Sequence, residues 1–404
     1  MTRRRFLIVC MQYPVEPGQS YMTTELAEAL VGGGHEVEVL VLDWHAPPGR
    51  PPSRTVTPAG IAVTRCFPRE IGWAGGVVRA ASKFVFSGRH VARVAARTLD
   101  LARFDAMLAW MPAAAIAPLV DLAVRAGIRH RLLFIWDFFP DHHREIGRIP
   151  AGLPYRAARA WEQRLLARFD AILCTLPGNA AYLRARYRLR ADQRVLVTPI
   201  WAETTPRPAV DRDAVRARHG LPCDRPIAVF GGQIIEGRGF DLMLDAAALA
   251  AAAGSPLLFL FVGDGRQALA LRARAAGRGN IICLPAMPRA AYLDLLGACD
   301  VGMVATVPGV TSFSIPSKTI DYLRAGLPVI AAVEPGSDFA AIVQAHAIGC
   351  VVPFGQPWRF QAEATRLATD PRLRDGARAA AQRCLDAFFD VRHAVAAIER
   401  AITD

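Results

Sequence analysis

Short apolar runs with no polar alternation recur along this chain, and each is followed by a helix-like pattern. Phe6 to Met11 is the first such run. A strand without a polar face must be covered on both sides, as happens inside a parallel sheet. The loop Gln12 to Tyr21 carries Pro14, Pro17 and Gly18, a helix is predicted over Met22 to Val31, and Gly32-Gly33-Gly34 ends it before a second strand, His35 to Leu42. This is a βαβ unit, and its loop sits at the carboxyl end of the first strand, where open α/β sheets bind ligands. No G-x-G-x-x-G follows that strand, so the dinucleotide fingerprint is missing.

The alternation continues with strands Ala106 to Trp110, Arg131 to Trp136, Ala171 to Thr175 and Val195 to Pro199. Helices are predicted over Ala114 to Ala126, Trp161 to Phe169 and Ala180 to Tyr187. The proline-rich Ala46 to Pro58 reads as a connection. A second proline-containing stretch, Trp201 to Val210, reads as the link to a second series that starts at Pro226 and alternates as far as Gly349 to Pro353, before helices close the chain. The expected division is 1–203, 204–385 and a last helical segment, 386–404, returning toward the first domain. Such a chain is α/β, with two Rossmann-like β/α/β domains facing each other across a cleft.

Length agrees, because 404 residues exceed one ordinary core and suit two. The net charge of +12, mostly arginine, suits an anionic partner: nucleic acid, an acidic membrane surface or a phosphorylated ligand. Residues 65–103 concentrate it. Arg65, Arg69, Arg79, Lys83, Arg89, Arg93, Arg97 and Arg103 alternate with Trp73, Val77, Val78, Phe84, Val85, Phe86, Val91, Val94 and Leu99, as in an amphipathic stretch lying on anionic lipid. An ordinary solvated helix face is the competing reading. No basic-aromatic nucleic-acid module stands out, so no nucleic-acid partner is expected. None of the eight cysteines forms C-x-x-C, and they read as reduced small hydrophobes of a cytoplasmic protein. The apolar run after Arg3-Arg4-Arg5 is too short for a signal peptide, and no run is long enough for a membrane span.

Two clusters look chemical. Trp136 to His143 holds Asp137, Asp141, His142 and His143, a candidate metal group, although adjacent histidines diverge on most backbones. Asp137, at a strand's carboxyl end, suits an acid, base or sugar-hydroxyl acceptor better. Thr311 to Ala332 is the other: a loop Ser314-Ile315-Pro316-Ser317, a short helix from Lys318 stopped by Gly326, and an apolar strand. Free N–H groups and the positive dipole end at a helix start favour anions, phosphate above all, whereas Lys318 in that first turn opposes the dipole. A bound anion removes the conflict. Asp211-Arg212-Asp213 has a D-x-D spacing but precedes a helix and reads as its cap.

The second half resembles the family-four glycosyltransferases of GT-B architecture, of the kind that builds bacterial surface polysaccharides. The resemblance rests on Phe230 to Ala246, Leu260 to Gly265, Asn280 to Pro288 with Asp300 to Met303, and Ser317 to Tyr322 with Ala325 to Ile330. Gln12-Tyr13-Pro14, Gly34 to Val37 and Trp136 to Pro140 add to it from the first half. It implies retaining transfer of a hexosyl-type sugar from a nucleoside-diphosphate sugar, UDP favoured, without a metal or other cofactor. The donor would sit on the second domain and a glycan, lipid-linked or other hydrophobic acceptor on the first, at the cytoplasmic face of a membrane.

Residue by residue, the resemblance places Arg238 at the diphosphate-contacting cation and Asp321 at the second carboxylate of an E-x7-E pattern that holds the ribose. Ser314, Ile315, Pro316, Ser317, Lys318 and Thr319 would neighbour the diphosphate. Gly18, Gly232, Gln233, Gly263, Asp264 and Met287 would line the same donor site. Asp137, Arg238 and Lys318 are the expected catalytic set, with the leaving phosphate assisting same-face attack. Two positions depart from the pattern: its first carboxylate falls on Phe313 and its glycine-loop arginine on Gln233. They keep two other readings open, a non-catalytic nucleotide-sugar binder and a sugar-nucleotide epimerase of the same architecture.

Overall fold

The computed structural model describes residues 3–14, 21–73, 76–110, 113–136, 138–145, 149, 151–202, 204–205, 208–308 and 315–403, without the side chains of 76–78, 80, 81, 113, 114 and 145. Gly18, Asp137, Phe313 and Ser314 lie outside the described residues. The chain divides into two compact units, one of described residues 3–202 and 391–403, the other of those from 204 to 390.

The first unit runs β1 (Arg5–Cys10), α1 (Met22–Gly32), β2 (Glu36–Leu42), β3 (Ser53–Val56), β4 (Ala62–Cys66), α2 (Gly76–Thr98), β5 (Ala106–Trp110), α3 (Ala117–Arg125), β6 (His130–Ile135), α4 (Asp141–Glu145), α5 (Leu153–Leu166), β7 (Ala171–Cys174), α6 (Pro177–Arg186) and β8 (Arg194–Val197). Its sheet has the order β3-β4-β2-β1-β5-β6-β7-β8. All pairings are parallel except β3 with β4. Ile8 of β1 sits between Val39 and Leu108, so the unbroken apolar run is buried as its composition requires. The proline-rich connection expected at Ala46 to Pro58 instead contains β3, an exposed antiparallel edge strand, and β4 follows it.

The second unit runs α7 (Arg212–Arg218), β9 (Ile227–Gly231), α8 (Phe240–Ala252), β10 (Leu258–Val262), α9 (Ala268–Ala275), β11 (Ile281–Leu284), α10 (Arg289–Gly297), β12 (Val301–Ala305), α11 (Lys318–Arg324), β13 (Val329–Ala332), α12 (Asp338–Ala345), β14 (Gly349–Val352), α13 (Pro357–Thr369) and α14 (Pro371–Cys384). Its sheet is wholly parallel, in the order β11-β10-β9-β12-β13-β14. The second unit continues past the expected limit at 385, because Leu385 and Phe389 are fully buried in it. Asp211 caps α7 by accepting from the Ala214 N–H at 3.1 Å, so the D-x-D is a helix cap.

The last helix, α15 (Val391–Ile402), belongs to the first unit, where it packs on α1 and β8. Ala394, Ala397, Ile398 and Ile402 join Phe6, Ile8, Val39 and Val41 in one hydrophobic core of that unit. Arg194 of β8 donates to the carbonyls of Arg400, Ala401 and Thr403, supplying a cation where the helix presents its negative end.

The basic stretch 65–103 is therefore not one amphipathic helix. Arg65 and Cys66 are strand, and Val91, Val94 and Leu99 are buried in another core of the first unit rather than turned outward. Val85 and Phe86 remain exposed beside Arg89, Arg93 and Arg97, and Trp73 is 91% exposed. No helix among the described residues is long and apolar enough to cross a membrane.

One buried carboxylate ties the second unit together. Asp300, beside β12, accepts from the Ile227 N–H at 2.8 Å, Arg216 at 2.9 Å, Arg212 at 2.7 Å and Arg374 at 3.2 Å. Arg216 is itself 3% exposed and spends its remaining donors on the carbonyls of Ala298, Pro222, Cys223 and Arg225. Removing the acid leaves a buried guanidinium without its counter-charge. Asp300→Ala is expected to destabilise the second unit by about 3–5 kcal/mol, read by denaturant unfolding of the full chain. Asp211→Ala, which removes only a cap, should cost about 1 kcal/mol in the same assay.

Candidate functional site

Sheet order decides where the second unit can hold a ligand. β9 pairs with β10 on one side and β12 on the other, so successive crossovers leave it in opposite directions. The crevice at such a switch point opens beyond the carboxyl ends of the strands. Gly231 and Gly232 end β9, Gly263 to Gly265 follow β10, Met287 follows β11, and Lys318 opens α11 after β12. These sequence-predicted positions thus share one edge of one sheet.

The glycine loops interlock. The Gly232 N–H donates to the Val262 carbonyl at 3.0 Å, the Ile234 N–H to the Asp264 carbonyl at 3.0 Å, and the Gly263 N–H to the Leu284 carbonyl at 3.1 Å. Gly263 has φ +148°, and a Cβ there would stand 1.9 Å from the Gly232 oxygen. It is glycine so that one loop can lie on the other. Asp264 also braces these loops, since its carboxylate accepts from the Ala286 N–H at 3.0 Å and from Arg272 at 2.9 Å. The Ala286 N–H first, and then Arg272, hold this carboxyl below the usual carboxylate range. Gly263 and Asp264, predicted to line the donor site, shape the wall of this candidate site by fixing the β9, β10 and β11 loops to one another.

Beneath the wall lies Tyr322, fully buried, whose hydroxyl accepts from the Gly231 N–H at 3.1 Å and donates to the Met303 carbonyl at 3.3 Å. Gly302 has no Cβ because the Tyr322 ring already occupies that space. Burial pushes the phenol well above its usual range, so it stays a neutral strut between β9 and β12. Tyr292 of α10 approaches from the other side, its hydroxyl 2.0 Å from where a Gly231 Cβ would stand.

Lys318 is the centre of the site. Its Nζ lies 3.3 Å from the centroid of the buried Phe230 ring, and its Cε and Nζ approach the Gly232 position. No carboxylate pairs with it among the described residues. Burial, and then the nearby Arg238 guanidinium, push its pKa well below the ordinary lysine value of 10.5. An ammonium on an aromatic face, with a second cation beside it and no acid, is poised to receive an anion. Arg238 lies on the β9–α8 loop and also lines a cavity of about 270 Å³ with Phe240, Gln267, Arg274 and Val307.

Other predicted residues fall differently. Ile315 and Thr319 are buried, and the Thr319 hydroxyl has no hydrogen-bond partner among the described residues. Pro316 accepts from the Thr319 N–H at 2.8 Å, Ser317 is exposed at the helix start, and Met287 is half-buried after β11. Gln233 is exposed. Asp321 is gripped by Arg289 of α10 through two bonds of 2.8 and 3.2 Å. Sequence reasoning missed Arg289 and Tyr292. Arg289 carried a visible signal, since it is a cation in the first turn of a helix and opposes the dipole just as Lys318 does.

In the first unit the described residues of the Trp136 to His143 segment do not gather as metal ligands. Asp141 is buried and accepts from the Tyr155 and Tyr182 hydroxyls, each at 2.7 Å, with Arg159 at 3.4 Å. The His142 and His143 rings stand at 89° to one another. Among the described residues no three metal-ligating side chains gather.

Both halves of the chain match known protein families. Residues 18–201 match the glycosyl transferase 4-like domain family, and residues 225–370 match the glycosyl transferases group 1 family. The chain is 29% identical over 226 residues to the D-inositol 3-phosphate glycosyltransferase of Segniliparus rotundus, covering 54% of this chain and 49% of that protein. It is 24% identical to the putative colanic acid biosynthesis glycosyl transferase WcaI of Escherichia coli, covering 59% of this chain and 60% of that protein. The chain thus spans about half to three fifths of the length of these relatives. The crystal structure of Anabaena HepE in complex with UDP and glucose superimposes with a TM-score of 0.69 at 14% identity, covering 99% of both chains. The chain thus joins a glycosyl transferase 4-like domain to a glycosyl transferases group 1 domain, on the GT-B fold.

The interlocked loops make a sharp prediction. Gly263→Ala should destabilise the second unit by about 2–4 kcal/mol, combining backbone strain with the forced separation from Gly232. Gly254→Ala, also at positive φ but facing open space, should cost only about 1 kcal/mol in parallel denaturant titrations.

Proposed function

We propose that this chain transfers a sugar from a nucleoside-diphosphate sugar to a lipid-linked or other hydrophobic acceptor in polysaccharide or glycoconjugate synthesis. One observation carries the reading: Lys318, unpaired with any described carboxylate and pressed by Arg238, stands at the switch point of the second sheet. Cleaving the donor leaves negative charge on a diphosphate, and two fixed cations stabilise that charge as it develops. Lys318 and Arg238 take that role, and with these cations in place the reaction is read as metal-independent, a hexosyl transfer with retained configuration. Asp137 is assigned to the acceptor hydroxyl. HepE, of the same fold, holds UDP and glucose in its crystal, which makes UDP the first nucleotide to try.

The acceptor side rests on the first unit. Its exposed Trp73, Val85 and Phe86 beside Arg89, Arg93 and Arg97 suit contact with an anionic lipid surface, with the enzyme peripheral at the cytoplasmic face. Replacing Arg89, Arg93 and Arg97 together by glutamine should weaken binding to anionic vesicles at least tenfold in a sedimentation assay, at about 1 kcal/mol per basic residue. Unchanged partitioning removes the membrane contact.

Nucleotide binding tests the centre. Among UDP, GDP, ADP and dTDP, at least one should bind in calorimetry, and Lys318→Ala should weaken it by about a hundredfold, as expected for a charged hydrogen bond. The pH dependence has a definite sign. A bound diphosphate favours the ammonium form, so affinity is full below the lowered pKa of the free site. It falls as pH rises through that pKa, which lies below the ordinary lysine value of 10.5. Lys318→Met should show weaker binding without this limb. Binding with no sugar transfer to any acceptor would leave a nucleotide-sugar binder rather than an enzyme.

A further inference from the structure

Lys318 and Asp321 stand three residues apart on α11, a spacing at which side chains of opposite charge ordinarily pair. They do not pair. The carboxylate is turned to α10, where Arg289 holds both its oxygens, at 2.8 and 3.2 Å, in the fork geometry peculiar to arginine. The ammonium instead lies 3.3 Å from the Phe230 ring centroid. Arg289 is the first residue of α10, directly after Pro288, where a cation gains nothing from its own helix. Its guanidinium is therefore placed for Asp321, which is 13% exposed.

We propose that Arg289 is a positioning residue that sequesters Asp321, so that the positive charge of Lys318 stays available to a bound diphosphate. The inference rests on the nucleotide reading above and deepens it. Without Arg289, Asp321 is left with two cations one turn away on its own helix, Lys318 before it and Arg324 after it. Pairing with Lys318 would neutralise that lysine and leave Arg238 alone to face the phosphates. The charge that acts on Lys318 is Arg238 on the β9–α8 loop; Asp321, Tyr322 and Arg324 share its helix, and Arg289 and Tyr292 of α10 lie beside Asp321.

The test is a double-mutant cycle on the full chain, with UDP, UMP and uridine as probes in calorimetry. Arg289→Ala should weaken UDP about tenfold, UMP less, and leave uridine unchanged. Adding Asp321→Asn to Arg289→Ala should bring UDP affinity back to within about twofold of Asp321→Asn alone, because nothing then remains to neutralise Lys318. The alkaline fall in UDP affinity should move to higher pH in Arg289→Ala, since a paired ammonium holds its proton longer. Arg289→Lys, which keeps the charge but not the fork, should lie between wild type and alanine and guards against a folding defect. Equal UDP affinity in wild type and Arg289→Ala overturns the proposal. So does a tenfold loss that persists in the Asp321→Asn background, which makes Arg289 a direct ligand contact. If UDP, GDP, ADP and dTDP all fail to bind the wild type, the nucleotide site itself falls and this role with it. If UDP fails but another of the four binds, the same cycle runs on that nucleotide.

Discussion

Strands without a polar face impose the rest of this molecule. A parallel strand covered on both sides can pass its chain onward only through a crossover, and right-handed crossovers deliver every helix start to the same edge as the preceding strand's end. In the second unit that edge collects Gly231 and Gly232, the β10 and β11 loops, and Lys318. The chemistry is local to an edge because the packing of the strands leaves nowhere else for loops to converge.

What the edge holds is a balance of unlike demands. The glycines are there for each other's backbone, Asp264 for the Ala286 amide, Tyr322 for two strands at once, and Asp321 for Arg289. Lys318 is set apart by having no such structural partner among the described residues, and the lowered pKa records its discomfort. Most of the site's polar groups satisfy one another, and the lysine is left with only an aromatic face and a second cation, Arg238, for company.

The sequence was most readable where burial is complete. Strands such as Phe6 to Met11 and Ala106 to Trp110 appear within a residue of their expected limits because their apolar runs have one structural meaning. β3 was hidden because all four of its residues are exposed, leaving no hydrophobic period to detect. The start of α5 was hidden similarly, since Leu153, Ala157 and Ala160 face solvent and the helix buries little before Glu162. At the site, the oddity of a lysine in a first helical turn was legible, and so was the equal oddity of Arg289. Their connection was not, because it runs between two helices nearly thirty residues apart. The buried fate of Thr319 and Ile315 was likewise invisible, since a motif gives residue order but not which side of the chain meets the core.

The placement of α15 bears on the order in which this chain can assemble. Ribosomes deliver the amino terminus first, and domains ordinarily close as they emerge. Here one face of the first sheet is finished by Ala394, Ala397, Ile398 and Ile402, which follow the entire second unit. At ordinary rates of synthesis, the roughly 190 intervening residues delay that helix on the order of ten to forty seconds. Throughout that interval Phe6, Ile8 and Val41 lack part of their cover, so the half of the protein made first is the half that matures last.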